Sequence, residues 1–378
     1  MPPAHAALDP KPEVLFIRSH GRDPEPDLAP GEWDRLNGLF TIRHFAGASL
    51  ADYRAGLAPG GPWANVSAII RTGWLKTGPF AGWLFFGPDE VPRFPSSLQL
   101  VACTGHGYDA ADVPGLAARG IAYSNTPDTC TEAVANTALY LVLASYRYFS
   151  FAERCARGAP REDDGAGAAN GTSDDDDEYF WGRSRELGPK AEDPVGHVLG
   201  IVGMGDIGAA TARKAAAALG MRVHYHNRRR NHAAEKTLEP FGGAEYHDSL
   251  ESLLAVADCI CLACPLTPLT KHAISRRTLG LTKAQGVRIV NIGRGGLIDE
   301  DALLEALESR RVIGVGLDVH AQEPGVNPKL RDNWMVTLLP HIGVCSGSSW
   351  REFDRVNFRN LEEWFYGDKS KVTTVTPL

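Results

Sequence analysis

Arg294 stands between glycines in the stretch NIGRGGLID, just past an apolar, strand-like run. In a crevice, a guanidinium so placed holds a carboxylate through two parallel charge-assisted hydrogen bonds. On an open surface it is an ordinary solvated arginine. Two further motifs follow strand-like runs. GLDVHAQEP has Asp318 at the strand end and Glu323 beyond it; LLPHIG has His341 after Pro340 and shortly before Gly343. In an open parallel sheet, loops at the carboxyl ends of the strands form the ligand crevice.

The strongest signal lies upstream, from Val198 to Arg230. The run Val198 to Val202 reads as a buried strand and breaks into Gly203-Met204-Gly205-Asp206-Ile207-Gly208. An Ala-rich helical segment follows and stops at Gly220, a helix C-cap, and a second short strand runs from Arg222 to His226. That order is the context a G-x-G-x-x-G fingerprint needs for dinucleotide binding. Gly203 permits the tight turn, Gly205 lets the backbone approach a pyrophosphate, and Gly208 lets the helix pack on the strand. The helix N-terminus offers unpaired N–H groups and the positive end of its dipole.

NAD binding usually places an Asp or Glu about 20 residues past the glycines, on the ribose 2′-OH. Here that place falls at Asn227, followed by Arg228, Arg229 and Arg230. A carboxylate repels a 2′-phosphate, whereas an amide and guanidinium groups attract it. The expectation is NADP preferred, with NAD as the alternative. The competing reading of the arginines is a solvated basic turn.

The elements around these motifs alternate. Val14 to Ile17, Ser67 to Ile70, Leu98 to Thr104 and Ile121 to Tyr123 read as strands of a first α/β unit, with helix expected between Trp33 and Gly56 and over Val113 to Arg119. Thr131 to Phe151 reads as one long core or interface helix. After the glycine motif, helices at Leu250 to Ala257 and Leu303 to Ser309 alternate with strands at Cys259 to Cys264, Val287 to Asn291 and Ile313 to Leu317. This alternation predicts doubly wound parallel sheets of α/β class.

Residues 158 to 194 differ in composition. The acidic run Asp174 to Asp177 reads as a solvated loop rather than a metal site, because adjacent carboxylates repel and cannot all face one ion. Tyr179, Phe180 and Trp181 would dock that loop on the body.

The chain has 378 residues, 43% of them hydrophobic, and a net charge of −7. Two or three domains with sizeable cores are expected, and nothing in the charge suggests a nucleic-acid or anionic-membrane partner. The seven cysteines suggest no disulfide framework. Cys259, Cys261 and Cys264 lie in an apolar run and read as core. No segment reads as a leader or a membrane span, so a cytoplasmic location is expected. His224, His226, His247, His272 and His320 show no carboxylate or Cys partners at ligand spacing, and no metal is expected.

LQLVACTGHGYDAADV, NTPDTCTEAVANTALYLVL, ACPLTPLT, NIGRGGLID, DVHAQEP and PHIG, in this order, resemble the D-isomer-specific 2-hydroxyacid dehydrogenase family. The resemblance runs from about Leu98 to the C-terminus, and the last stretch is most similar to fungal D-mandelate dehydrogenases and glyoxylate/hydroxypyruvate reductases. It implies two Rossmann-like domains, with the cofactor domain, residues 127–342, inserted into a substrate domain of 1–126 and 343–378. A catalytic cleft would lie between them, and a homodimer is implied.

By the same resemblance Arg294 anchors the substrate carboxylate and polarises the keto group. His341 is general acid in reduction and base in oxidation, and Glu323 hydrogen-bonds its imidazole and favours the protonated form. Asp206 and Ile207 meet the pyrophosphate; Cys264, Pro265, Thr270, Ile292 and Asp318 line the adenine and nicotinamide faces. The turn Arg71-Thr72-Gly73-Trp74 offers Thr72 and Gly73 N–H groups to the substrate carboxylate. Trp74 departs from the small residue usual there, which leaves the pocket shape open. His106 is either a substrate contact or a turn residue. Trp74, Phe80, Trp83, Phe85 and Phe86 form either a pocket for a bulky side chain or domain core.

The expected activity is reversible reduction of a 2-keto acid, such as glyoxylate, hydroxypyruvate or an aromatic keto acid, to a D-2-hydroxy acid. The other reading, a dinucleotide-sensing corepressor-like interaction protein, shares the fold and the Arg-Glu-His trio.

Overall fold

A computed structural model describes residues 8–17, 31–45, 48–72, 82–157 and 185–376. The chain divides into two compact units, Met1–Cys130 with Val344–Leu378, and Thr131–Gly343. The runs around Gly73 to Ala81 and 158 to 184, including Trp74, Phe80, the acidic run and its three aromatics, lie outside the described residues.

Among the described residues the first unit holds five parallel strands: β1 (Glu13–Ile17), β2 (Thr41–His44), β3 (Ala68–Arg71), β4 (Leu100–Cys103) and β5 (Ala122–Ser124). Their order is β2-β1-β3-β4-β5. The strands read as continuous apolar runs because both faces are covered. Alternate residues serve the two sides. Val14, Phe16, Ala68 and Ile70 pack with Phe358, Leu361 and Trp364 of the helix Gly347–Phe365. Leu15, Ile17, Ile69 and Val101 pack with Tyr53, Trp63 and Phe85 on the other side.

The segment from Trp33 to Gly56 is more divided than expected: helix Glu32–Leu39, strand β2, then helix Leu50–Leu57. Of the aromatics that left pocket and core both open, Phe85 and Phe86 are core. They are buried, and Phe85 packs edge-to-face with Phe45 and Tyr53 and at a tilt on Trp83.

Among the described residues the second unit holds seven parallel strands: β6 (Val198–Val202), β7 (Arg222–His226), β8 (Ala244–His247), β9 (Cys259–Leu262), β10 (Val287–Asn291), β11 (Val312–Leu317) and β12 (Val336–Leu338). The order β12-β11-β10-β9-β6-β7-β8 reverses direction between β9 and β6. That reversal is the topological switch point where open α/β sheets bind ligands, beyond the strands' carboxyl ends.

The single helix expected over Thr131 to Phe151 is two: Thr131–Arg147 and Phe149–Arg157. Tyr148 between them has φ +52°, a left-handed conformation. Neither Gly nor Pro marks the break. Tertiary contacts hold it: the Tyr148 hydroxyl donates to Ile313 O at 2.7 Å, and its ring packs on Trp334 with centroids 4.9 Å apart.

No disulfide joins any of the seven cysteines. Burial pushes the Cys259 thiol up to about 12 and the Cys264 thiol up to about 11, and raises Cys261 as well. Protonated thiols are poor ligands and nucleophiles, so these three act as packing groups. Among the described residues no helix is long and apolar enough to cross a membrane.

Candidate active site

The glycine loop follows β6. Gly203 has φ +102°, and a Cβ there would lie 2.8 Å from Ala263 O and Cys264 N, the backbone past β9. A Cβ at Gly208 would lie 2.0 Å from Gly203 O and 3.2 Å from the Ile201 side chain. Helix Asp206–Leu219 therefore sits on the turn and strand as closely as backbone permits. Gly205 differs: a Cβ there meets nothing within 4 Å. The open side of Gly205 lies beside helix N–H groups that have no intrahelical acceptor.

This cradle fits a dinucleotide pyrophosphate, with Asp206 and Ile207 at the first turn. Gly205→Ala should leave the thermal midpoint of the free protein unchanged while weakening dinucleotide binding about tenfold or more, since its methyl enters the phosphate's space. Calorimetric titration beside a melting curve checks both.

Asn231 was not singled out from sequence, yet it joins the two halves of this region. Its Nδ2 donates to Met204 O in the glycine loop at 2.8 Å, and its Oδ1 accepts from Ala234 N and caps helix His232–Leu238. The basic turn past β7 is more divided than the sequence suggests. Arg230 is committed to Glu235, at 2.8 Å, and Glu235 also accepts from the Tyr225 hydroxyl at 2.6 Å. Those two donors hold the Glu235 carboxyl below its usual range. Arg230 is thus removed from the set expected to attract a phosphate. Arg228 and Arg229 are exposed and have no ion pair with a described residue. Asn227 is half-buried, its carbonyl accepting from the Tyr246 hydroxyl at 3.2 Å.

Arg294, Glu323 and His341 follow the ends of three neighbouring strands, β10, β11 and β12. Past β10, Asn291 shapes the loop: its Nδ2 donates to Arg294 O at 2.8 Å and its Oδ1 accepts from Gly293 N at 3.0 Å. Past β11, Asp318 is buried and accepts from Ile342 N at 2.8 Å and Gly343 N at 2.9 Å. These bonds fasten the His341 segment to β11 and help hold His341 at φ +58°. Strain in this region persists only where surroundings over-determine it, and it is common at functional sites.

The His341 Nδ1 lies 3.0 and 2.9 Å from the two Glu323 oxygens, with the side chains 14% and 20% exposed. Nδ1 therefore carries the hydrogen, and Nε2 is the nitrogen that gives or takes a proton. His320 ties the pieces together. Its N–H donates to Glu323 Oε1 at 3.2 Å, its Nε2 donates to Leu339 O at 2.8 Å, and its carbonyl lies against Gly295. A Cβ at Gly295 would come within 1.9 Å of His320 O. The Arg294 loop, Glu323 and His341 thus form one connected backbone framework.

Residues 172–343 match the family described as D-isomer specific 2-hydroxyacid dehydrogenase, NAD binding domain. The chain is 33% identical over 348 residues to 4-methyl-2-oxopentanoate reductase A of Aspergillus oryzae, covering 92% of this chain and 94% of that protein. The protein belongs to the D-isomer-specific 2-hydroxyacid dehydrogenase family. It is similar along its whole length to holo D-mandelate dehydrogenase of Rhodotorula graminis, with a TM-score of 0.83, 31% identity, and 97% and 98% of the two chains covered. An NADPH-dependent glyoxylate/hydroxypyruvate reductase from Sinorhizobium meliloti, solved with NADP and malonate, aligns at TM-score 0.70 and 28% identity over 97% of each chain. The chain is an oxidoreductase of 2-keto and 2-hydroxy acids that uses a nicotinamide cofactor. The corepressor-like alternative finds no support among the relatives.

Of the other positions expected in this dehydrogenase's site, Ile292 is buried just past β10, and Cys264 is half-buried just past β9. Thr270 closes the following loop, its Oγ1 donating to Pro265 O at 2.7 Å. Thr72 is buried at the end of β3 and, contrary to the expectation, its N–H is not available to a carboxylate because it is donated to Ile17 O at 3.1 Å; Gly73 lies outside the described residues. The His106 side chain is exposed.

For His224 and His247, two of the five histidines expected to have no carboxylate partner at ligand spacing, the structure overturns that expectation. His224 Nε2 lies 3.7 Å from Glu245 Oε2 and His247 Nε2 lies 4.0 Å from Glu245 Oε1. Register between β7 and β8, which the sequence spacing did not reveal, brings them together.

Proposed function

We propose that this dehydrogenase prefers NADPH and reduces small and aromatic 2-keto acids to D-2-hydroxy acids, as a cytoplasmic homodimer. The observation that carries the reading is the His341–Glu323 pair, 2.9 Å at its shorter contact, on the strand end next to the Arg294 loop. In this reading the unit Thr131–Gly343 is the cofactor domain and the other unit is the substrate domain. When bound, the nicotinamide supplies or accepts the hydride.

Arg294 grips the substrate carboxylate with two parallel bonds and sets the keto group's direction. Reduction of the keto carbon leaves an oxygen that must gain a proton, and His341 Nε2 delivers it; in oxidation the same nitrogen removes it. Glu323 fixes the ring's tautomer and orientation through Nδ1–H. Asp318 and Asn291 hold the loops that carry these groups. Ile292, Cys264, Pro265 and Thr270 line the dinucleotide's ring faces.

The NADP preference rests on Asn227 at the acceptor end of β7, on Arg228 and Arg229, and on the neutralisation of the nearby Glu235 by Arg230. The NADPH-dependent relative supports it. Arg228→Ala should raise the KM for NADPH about tenfold while leaving that for NADH nearly unchanged, the loss of a charged hydrogen bond at an exposed site. Equal effects on both cofactors would end the NADP argument.

The test of the whole reading is oxidation of NADPH and, in parallel, NADH with glyoxylate, hydroxypyruvate and phenylglyoxylate. Rapid NADPH oxidation with at least one of them, giving the D-product, is expected. Tight binding of the dinucleotide without turnover on any would refute it. Light scattering on eluting protein checks the dimer.

A further inference from the structure

β8 is the edge strand of the seven-stranded sheet and pairs with β7 alone. In their register His224 is the cross-strand neighbour of Glu245, and His226 of His247. The period of two puts His224, Glu245 and His247 on one face. His224 Nδ1 and His247 Nε2 are 3.0 Å apart. Glu245 Oε1 lies 4.0 Å from His247 Nε2, and Glu245 Oε2 lies 3.7 Å from His224 Nε2. Both imidazoles are largely buried, 14% and 10% exposed, while the carboxylate, 67% exposed, opens the group to solvent.

The hydrogen-bond pattern around His247 fixes its tautomer. Ser252 Oγ donates to Ser249 O at 3.0 Å, so it accepts from His247 Nδ1–H at 3.1 Å. His247 Nε2 therefore carries a lone pair directed at His224. An outer hydrogen bond of this kind is what orients a metal-bound imidazole. Bonds of about 2.0–2.1 Å in a tetrahedral site place ligand atoms about 3.3 Å apart; the His224 Nδ1–His247 Nε2 and His247 Nε2–Glu245 Oε1 separations, 3.0 and 4.0 Å, bracket that value, and the three residues offer ligand atoms all within 4.8 Å of one another.

We propose that His224 Nδ1, His247 Nε2 and Glu245 Oε1 bind a divalent transition-metal ion of the zinc class, with water completing the tetrahedron. Two imidazoles and one carboxylate suit Zn2+ and its first-row neighbours rather than Ca2+ or Mg2+. On binding, the hydrogen between the two ring nitrogens moves to His224 Nε2, so no net proton is lost. The ion would clamp the edge strand to β7, the strand that leads into Asn227 and Arg228. The inference does not depend on the dehydrogenase reading, because it concerns a different face and a different readout.

Tag-free, full-length protein stripped with a chelator should take up one equivalent of Zn2+ by equilibrium dialysis, and Co2+ should give the visible absorption of a tetrahedral site. The equivalent should vanish in His224→Ala and His247→Ala and weaken about tenfold or more in Ser252→Ala. It should persist in Cys345→Ser and His341→Gln, which remove other accessible ligands. Glu245→Gln alters an exposed side chain, so the protein folds and turns over keto acid as before, yet its Co2+ absorption should be lost or shifted. No uptake by the intact protein, uptake that survives His247→Ala, or loss in Cys345→Ser would each overturn the proposal.

Discussion

His341→Gln should lower kcat for keto-acid reduction by about 10²–10⁴-fold, the usual contribution of a positioned acid or base, with the dinucleotide's Kd unchanged. Gln fills much of the imidazole's volume but holds no transferable proton near neutrality. The segment's fastening, Asp318 to the N–H groups of Ile342 and Gly343, does not involve the side chain being changed. A large fall in kcat beside intact cofactor binding therefore reports lost proton transfer rather than a disordered loop. Glu323→Gln should fall between, since an amide oxygen still accepts from Nδ1–H but the charge-assisted bond is gone. Steady-state turnover with fluorescence titration of NADPH measures all three proteins. Full activity in His341→Gln would mean that another group supplies the proton.

The parts of this site that were legible in the sequence are those whose physics is local. Gly203, Gly205 and Gly208 are readable because each is defined by a missing Cβ at a fixed offset from a strand and a helix, and the structure gives each a different reason for that absence. The ends of β6, β10 and β11 are readable because strands buried on both faces leave nearly continuous apolar runs, whereas β9 stops at Leu262, two residues before the expected Cys264. What the sequence concealed depends on partners far along the chain. Tyr148 breaks a helix without Gly or Pro because Ile313 and Trp334 hold it. β8, four residues with only partial burial, gives almost no hydrophobic signal, so its pairing with β7 could not be read. A one-residue slip in that register would turn Glu245 and His247 to the opposite face. Arg230 looks like a free cation in a basic run until the helix after it presents Glu235.

Gly295→Ala should lower kcat/KM about 100-fold although it removes no functional group. A Cβ there would sit 1.9 Å from His320 O, 2.0 Å from His320 C and 2.4 Å from Ala321 N. Those are backbone atoms, so no flexible side chain can swing aside, and the two loops must separate by about 1 Å or more to restore ordinary contact. Separation moves Arg294 on one side and, on the other, the His320 N–H that holds Glu323 and through it His341. A displacement of about 1 Å in positioning groups costs on the order of 10² in rate. Overpacking against a rigid backbone should also lower stability by about 1–3 kcal/mol. The dinucleotide cradle at Gly203 to Gly208 lies past a different strand, β6, so NADPH affinity should be retained. That split, lost turnover with kept cofactor binding, separates a displaced catalytic framework from general unfolding. Gly295→Ala with wild-type kcat/KM would show that the Arg294 loop and the Glu323–His341 pair are not mechanically joined through His320.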